Sequence, residues 1–274
     1  MARKNRKLIS IGYIFANELN LKISSEDIFG VVVCMGTNTI EDVSYFIGLV
    51  IKTNKPIVFT GSQYPQKSLC FDGKLNLFNA ITIASSSIAM NLGVLLTFNG
   101  VVSSARDSYK TTPGYLDNFI FDNGRGYVGD VIAGTFKLRC TPNYRHTFQT
   151  EFDLTLIKNF AKTCVIYAHV GLETFFIDSA IKNGVLGIVS AGFGKGYQST
   201  PITNRLYEAV NTGICVVRCA RLGITYTGID EKYDQKYSFI VSKGLLPNKS
   251  AILLSVALLF TQDYKELQRI FEEY

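Results

Sequence analysis

At 274 residues, 47% apolar and 18% charged, the chain has the composition of a soluble globular protein and room for one large or two modest domains. Its formal charge of +6 is spread along the sequence; only Arg3-Lys4-Asn5-Arg6-Lys7 clusters. No nucleic-acid motif follows that cluster, so it reads as a solvated terminus, and no apolar run reaches the ~18 residues of a membrane span.

The basic start followed by apolar residues at 8–16 mimics a signal peptide, and an amphipathic helix through Ile11, Ile14, Phe15 and Leu19 fits equally well. Val31, Val32 and Val33 then read as a short buried parallel strand. Gly36 breaks it, and Thr39 stands at a helix N-cap position three residues ahead of Asp42. Val43, Phe46, Ile47, Val50 and Ile51 follow at helical spacing. This puts Thr37 and Asn38 at the carboxyl end of a strand, where open α/β sheets bind ligands, although many such turns carry no chemistry.

Pro56-Ile57-Val58-Phe59-Thr60 reads as a second buried strand closed by Gly61, and the loop 61–73 carries Ser62, Gln63, Tyr64, Pro65 and Asp72. Leu77, Ala80, Ile81 and Ala84 mark a helix, and 93–98 a third strand. Asn99-Gly100 and the polar run 103–110 come next. Strands alternating with helices imply right-handed βαβ crossovers and a mainly parallel sheet. Residues 112–163 lose this rhythm, with Gly, Pro, Asn and Arg prominent over 122–150 and hairpin-like pieces at 126–131, as at a domain margin with a linker. Alternation resumes with strands at 164–168, 185–190 and 214–219 and helices at 174–182 and 202–211. Two helices close the chain, one with Ala251, Leu254, Ala257 and Leu258, the other with Leu267, Ile270 and Phe271. Two α/β domains follow.

Lys110 is the cation of interest. It lies beyond the carboxyl end of the third strand, on the edge that carries Thr37 and Asn38 if the strands are parallel. In a partly dry site a lysine can act as a base towards a hydroxyl; taken alone, a surface lysine is the commoner case. Gly192-Phe193-Gly194-Lys195-Gly196 invites a phosphate-loop reading but lacks Ser or Thr after its lysine. Ser190 is no nucleophile elbow, because Ile188 occupies the position that needs glycine. Cys34, Cys70, Cys140, Cys164, Cys215 and Cys219 read as buried free thiols in a reducing compartment. His146 and His169 are too few and too scattered for a metal centre.

Several segments in order resemble the bacterial-type L-asparaginase family (type II branch), over about 15–274. Gly36-Thr37-Asn38-Thr39-Ile40-Glu41 is similar to its second signature, His-Gly-Thr-Asp-Thr followed by an acidic helix start. Asp72-Gly73-Lys74-Leu75-Asn76-Leu77-Phe78-Asn79-Ala80 resembles its Asp-Gly-x-x-Asn-Leu-aromatic-Asn-Ala segment. Ser104-Ala105-Arg106-Asp107-Ser108-Tyr109-Lys110 resembles the run that brings the family's lysine, and Ser190-Ala191-Gly192-Phe193-Gly194 and Leu267-Gln268-Arg269-Ile270-Phe271 also match.

The resemblance implies an α/β chain with a larger, mostly parallel N-terminal sheet domain, 1–138, incomplete at its N-terminus. A linker, 139–160, and a smaller C-terminal α/β domain, 161–274, complete it. It implies cofactor-free hydrolysis of the side-chain amide of L-asparagine, more weakly of L-glutamine, by a homotetramer built as a dimer of dimers with active sites between subunits. In the family an N-terminal threonine attacks the amide carbon; a second threonine, a lysine and an aspartate move protons and bind substrate. By that carry-over Thr37 is the second threonine and Lys110 the lysine, with Gly36 and Asn38 at the substrate. Glu231 is the acid lent across the interface to the substrate's ammonium. A cytoplasmic location is expected, with export as the alternative if a signal peptide lies upstream.

The departures from the family pattern are substantial. The 274 residues contain no Thr-Gly-Gly-Thr, the family's first signature and the seat of its nucleophile, nor the lid tyrosine beside it. Asn38 occupies the aspartate's position, Met35 the histidine's, and Tyr197 that of an asparagine. An inactive or strongly impaired asparaginase relative of poor solubility is therefore expected. The alternatives are a non-catalytic module that binds an acidic amino acid or joins intact subunits, or an active enzyme whose first segment is supplied from outside these residues.

Overall fold

The protein is described here by a computed structural model that covers all residues except 1, 112–114, 117–118, 122–125, 158 and 223–225; at 2–11, 120 and 121 only the backbone is described. The side chains of the basic cluster at 3–7 and the start of the 122–150 stretch therefore lie outside the described residues. The chain forms two compact units, Met1–Leu156 and Ile157–Tyr274.

The first unit opens with α1 (Ala2–Ile23). Leu19 is buried as the amphipathic reading requires, but Ile14 is exposed, and Ala16 and Ile23 share the inner face instead. Then come β1 (Val31–Cys34), α2 (Ile40–Val50), β2 (Ile57–Thr60), α3 (Gly73–Ala84) and β3 (Val94–Phe98). β1, β2 and β3 are parallel neighbours. Beyond them the sheet turns antiparallel through β4 (Val101–Ser104), β7 (Tyr127–Ile132) and β8 (Thr135–Leu138), giving the order β1-β2-β3-β4-β7-β8. A parallel half thus carries an antiparallel half, and the hairpin of β7 and β8 is part of the sheet rather than connecting chain. β5 (Ser108–Lys110) and β6 (Phe119–Phe121) pair separately.

β2 shows why this sheet is covered on both sides. Its four residues are all buried. Val58 packs among Ala80 and Ile83 of α3, whereas the Phe59 ring meets Phe15 of α1 edge-on at 6.5 Å. Successive residues point to opposite faces, so different helices cover each.

Two expectations are corrected here. β1 is not fully buried: Val31 and Val32 are half-buried and Cys34 is exposed. Among the described residues it pairs with β2 alone. The Val31 and Met35 N–H groups bond to Pro56 and Thr60 carbonyls of that neighbour, so the peptide groups of Val32 and Cys34 face the open edge. On α3, Leu77 and Ile81 are exposed, and Asn76, Asn79 and Ile83 join Ala80 and Ala84 inside. The helix is rotated because Asn76 has polar work to do under the sheet edge.

The second unit holds the four-stranded sheet β12-β11-β10-β9, parallel throughout. Its elements are β9 (Thr163–Tyr167), α4 (Phe175–Lys182), β10 (Gly187–Gly192), α5 (Thr200–Asn211), β11 (Cys215–Ala220), α6 (Glu231–Tyr237), β12 (Ile240–Val241), α7 (Pro247–Ala257) and α8 (Tyr264–Glu273). Ile166, Ile188 and Val216 pack with Ile177 of α4 and Leu206 of α5. α7 approaches so closely that a Cβ at Gly187 would sit 2.5 Å from Leu254 Cδ2. The larger and smaller α/β units agree with the architecture expected from sequence. The thiols do not follow the buried pattern: Cys34, Cys70 and Cys140 are exposed and only Cys219 is buried. Strand edges and loops, not strand interiors, carry the exposed three.

Candidate functional site

The site of the first unit begins where β1 ends. Thr39 caps α2 by position, but its side chain makes no capping hydrogen bond. Glu41 and Asp42 occupy the first turn instead, where carboxylates meet the positive end of the helix dipole. Thr37 is half-buried in the connecting turn, and Asn38 is exposed with no side-chain hydrogen bond among the described residues. Gly36 is open: a Cβ there would meet nothing within 4 Å.

Lys110 reaches this turn from far along the chain. Its Nζ donates to Thr37 Oγ1 at 2.7 Å, and its backbone N–H donates to Glu41 Oε2 at 2.7 Å. β5 is brought back towards the carboxyl end of the sheet by a turn of short polar bonds. Ser108 Oγ donates to Ser104 O at 2.6 Å and accepts from Ser103 Oγ at 2.7 Å, and Ser104 Oγ donates to Asp107 at 3.0 Å. Phe119, paired with Lys110, stacks on Phe98 with centroids 4.3 Å apart. Arg106 lies over the Tyr144 ring, 3.4 Å from its centroid, which fixes the other side of that turn.

A second cluster ties the neighbouring loops together. The Asp72 carboxylate accepts from the backbone of Gln63 and Tyr64 at 3.0 and 3.1 Å and from Asn76 Nδ2 at 2.8 Å. Asn76, only 1% exposed, also donates to Gly61 O at 3.0 Å and accepts from Asn99 N–H at 3.0 Å. One buried amide thus stitches the carboxyl ends of β2 and β3. Replacing Asn76 by Ala takes one hydrogen bond each from Asn99 N–H and Gly61 O and leaves a hole where a 1% exposed side chain stood, at a cost of about 1–2 kcal/mol in urea unfolding. A Gln at this position, too long for all three contacts, recovers little of it.

Glu231 belongs to the second unit. It is exposed on the first turn of α6, whose N-cap Asp230 accepts from Tyr233 N. That segment is clamped from within. Arg218 and Asp234, each 1% exposed, form a bidentate pair with both contacts at 2.6 Å. Arg218 also donates to Gly228 O at 2.8 Å and to Lys195 O, and Asp234 accepts from Asp230 N at 2.7 Å. Burial works against the Arg218 charge, but the hydrogen bonds and charge of Asp234 outweigh it and push its pKa above the ordinary arginine value.

Tyr197 completes the clamp, its hydroxyl donating to Asp230 at 2.7 Å. The glycine turn before it is closed on itself, since Phe193 N–H bonds to Tyr197 O and the N–H groups of Gly196 and Tyr197 return to Phe193 O. Those amides are spent, which removes the phosphate-loop reading. The Tyr197 hydroxyl, then the Tyr233 amide, hold the Asp230 carboxyl below the usual aspartate range. A lowered folded-state value stabilises above the unfolded pKa, near ~4, and is lost as pH falls through the folded one. Tyr197→Phe should therefore lower the urea midpoint at neutral pH, and the difference from wild type should shrink steadily below about pH 4.

Sequence reading finds Thr37 and Lys110 and the structure brings them together. It missed Glu41 as the acceptor for Lys110 and the Arg218–Asp234 pair. An acidic residue in the first helical turn, beside the Gly-Thr-Asn-Thr segment, was the available signal for the former.

The family model described as Asparaginase, N-terminal, matches residues 15–144, and that for the Glutaminase/Asparaginase C-terminal domain matches residues 162–271. A glutaminase-asparaginase of Pseudomonas fluorescens biotype A is 36% identical over 252 residues, covering 91% of this chain and 69% of that protein. A probable periplasmic L-asparaginase of Haemophilus influenzae is 34% identical over 260 residues, 94% of this chain and 74% of that protein. The crystal structure of a probable cytoplasmic L-asparaginase from Campylobacter jejuni superposes with a TM-score of 0.91 at 30% identity, covering 96% of this chain and 83% of that one.

Proposed function

The chain belongs to the bacterial-type asparaginase family, and from that premise we propose that it holds an amide-hydrolysing site in which Thr37 and Lys110 are the proton-relay pair. The family reaction converts L-asparagine to L-aspartate and ammonia. A hydroxyl attacks the side-chain amide carbon, ammonia leaves, and water releases aspartate from the acyl-enzyme. Lys110 in its amine form takes the proton of Thr37, whose oxygen in turn takes one from the attacking group. The 2.7 Å contact between Lys110 Nζ and Thr37 Oγ1 carries this reading.

Gly36, open to a ligand, and Asn38 flank the substrate in this reading. Glu231 meets its ammonium from a neighbouring subunit of a tetramer assembled as a dimer of dimers. Asn38 weakens the site: a neutral amide replaces a carboxylate, and the charge-assisted bond it displaces is worth roughly twice a neutral one. The polypeptide of these 274 residues also contains no Thr-Gly-Gly-Thr. We therefore read it as strongly impaired in hydrolysis, and a formed Thr37–Lys110 contact in residues without that motif favours a second reading as an amino-acid-binding or assembly module. We place it in the cytoplasm, the compartment in the Campylobacter jejuni protein's title; the Haemophilus influenzae relative, named periplasmic, marks export as the alternative.

Calorimetry with L-asparagine and L-aspartate beside an ammonia-release assay tests this. Binding with little or no ammonia is the expected result. Ordinary turnover overturns the impairment, and absence of binding to either amino acid overturns the site.

A further inference from the structure

We propose that Glu41 is the positioning residue of this site, setting the reach of Lys110 by accepting its backbone N–H. The inference rests on the reading of Thr37 and Lys110 as the relay pair and adds a residue to it. β5 is only three residues long and, among the described residues, its ladder is to β6 alone. A two-stranded ribbon is marginal by itself, so its anchors decide where its end lies. The serine bonds hold Ser108 and the Phe98–Phe119 stack holds β6. Glu41 is the anchor that acts at Lys110 itself, through a 2.7 Å charge-assisted bond.

The geometry gives that bond its meaning. Thr37 and Glu41 lie four residues apart, at the turn and the first helical turn of one element, and both hold the same lysine. Thr37 takes the side-chain tip and Glu41 takes the backbone, each at 2.7 Å. Fixing both ends of a long flexible side chain removes most of the rotamers by which its tip could wander. Asn38, exposed and neutral, makes no comparable contact with β5 among the described residues.

The 274-residue chain and its Glu41→Ala and Glu41→Gln variants are compared by amide hydrogen exchange across 108–110 and by the rate of Lys110 acetylation with N-hydroxysuccinimidyl acetate. Glu41→Ala should raise both rates by at least about tenfold, the scale of one lost charge-assisted bond, while α2 keeps its protection. Glu41→Gln keeps an oxygen that accepts the N–H and should stay within about threefold of wild type. Unchanged rates in Glu41→Ala overturn the proposal. So does Glu41→Gln behaving like Glu41→Ala, which would make charge rather than position the agent, and so does loosening of α2 together with β5. Titration of the wild type with L-aspartate separates the two levels: absence of binding there removes the functional reading, while exchange and acetylation still decide on Glu41.

Discussion

Arg218→Ala should lower the stability of the second unit by about 3–5 kcal/mol, and Asp234→Ala by a similar amount. Each single change leaves the other charge 1% exposed and without its partner. The Arg218 guanidinium makes two contacts to Asp234 and further ones to the carbonyls of Lys195 and Gly228. Its loss therefore loosens the glycine turn and the start of α6 together. Against a total of roughly 5–15 kcal/mol for a domain, this is a large fraction. The double variant Arg218→Met with Asp234→Leu should cost less than either single change, because no ion is left in a dry site. Urea unfolding of the three variants checks the order. Single-variant losses below about 1 kcal/mol would mean that water reaches the pair and that it behaves as a surface bridge.

This pair also shows what a linear reading misses. Arg218 sits within an apolar strand and Asp234 within a polar short helix, and nothing in either pattern announces the other. Pairing of buried charges is a tertiary fact. The same holds for Glu41, whose partner lies 69 residues away. By contrast, the parallel half of the first sheet and β9, β10 and β11 of the second were legible, while β12, only two residues long, gave no signal. Apolar β-branched runs and helical spacing are local, and short crossovers leave few alternatives.

The misreadings have physical causes. On α3 the apolar residues Leu77 and Ile81 suggested the inner face, but Asn76 must lie inside to bridge Gly61, Asp72 and Asn99, and the helix turns to suit. β4 and β8 are only four residues long and β7 and β8 are partly exposed, which weakens their signals; tight turns with positive φ join β3 to β4 at Asn99-Gly100 and β7 to β8 at Ala133-Gly134. β1 looked buried from its valines; its place at the sheet edge is set by pairing, which composition does not encode. The two residues proposed as the relay stand where motif and topology agreed, at the carboxyl end of β1 and at Lys110, and the structure brings their side chains into contact.

Ammonia release from L-asparagine by the 274-residue polypeptide should fall on the order of a millionfold below that of an intact family member, the loss seen when a serine protease is stripped of its nucleophile. A relay positions and moves protons, but it has no bond to make with the amide carbon. Extending the same polypeptide with a strand bearing Thr-Gly-Gly-Thr should therefore raise turnover far above its background. In that extended protein the relay becomes measurable: Lys110→Met and Thr37→Val should each lower kcat by about 10²–10⁴-fold, the usual contribution of positioned proton transfer. Asn38→Asp should act mainly on KM, since a carboxylate returns a charge-assisted bond to the substrate's ammonium. If Lys110→Met left kcat of the extended protein unchanged, the 2.7 Å contact with Thr37 would be a structural tie alone, and the proton path would have to be sought among other residues.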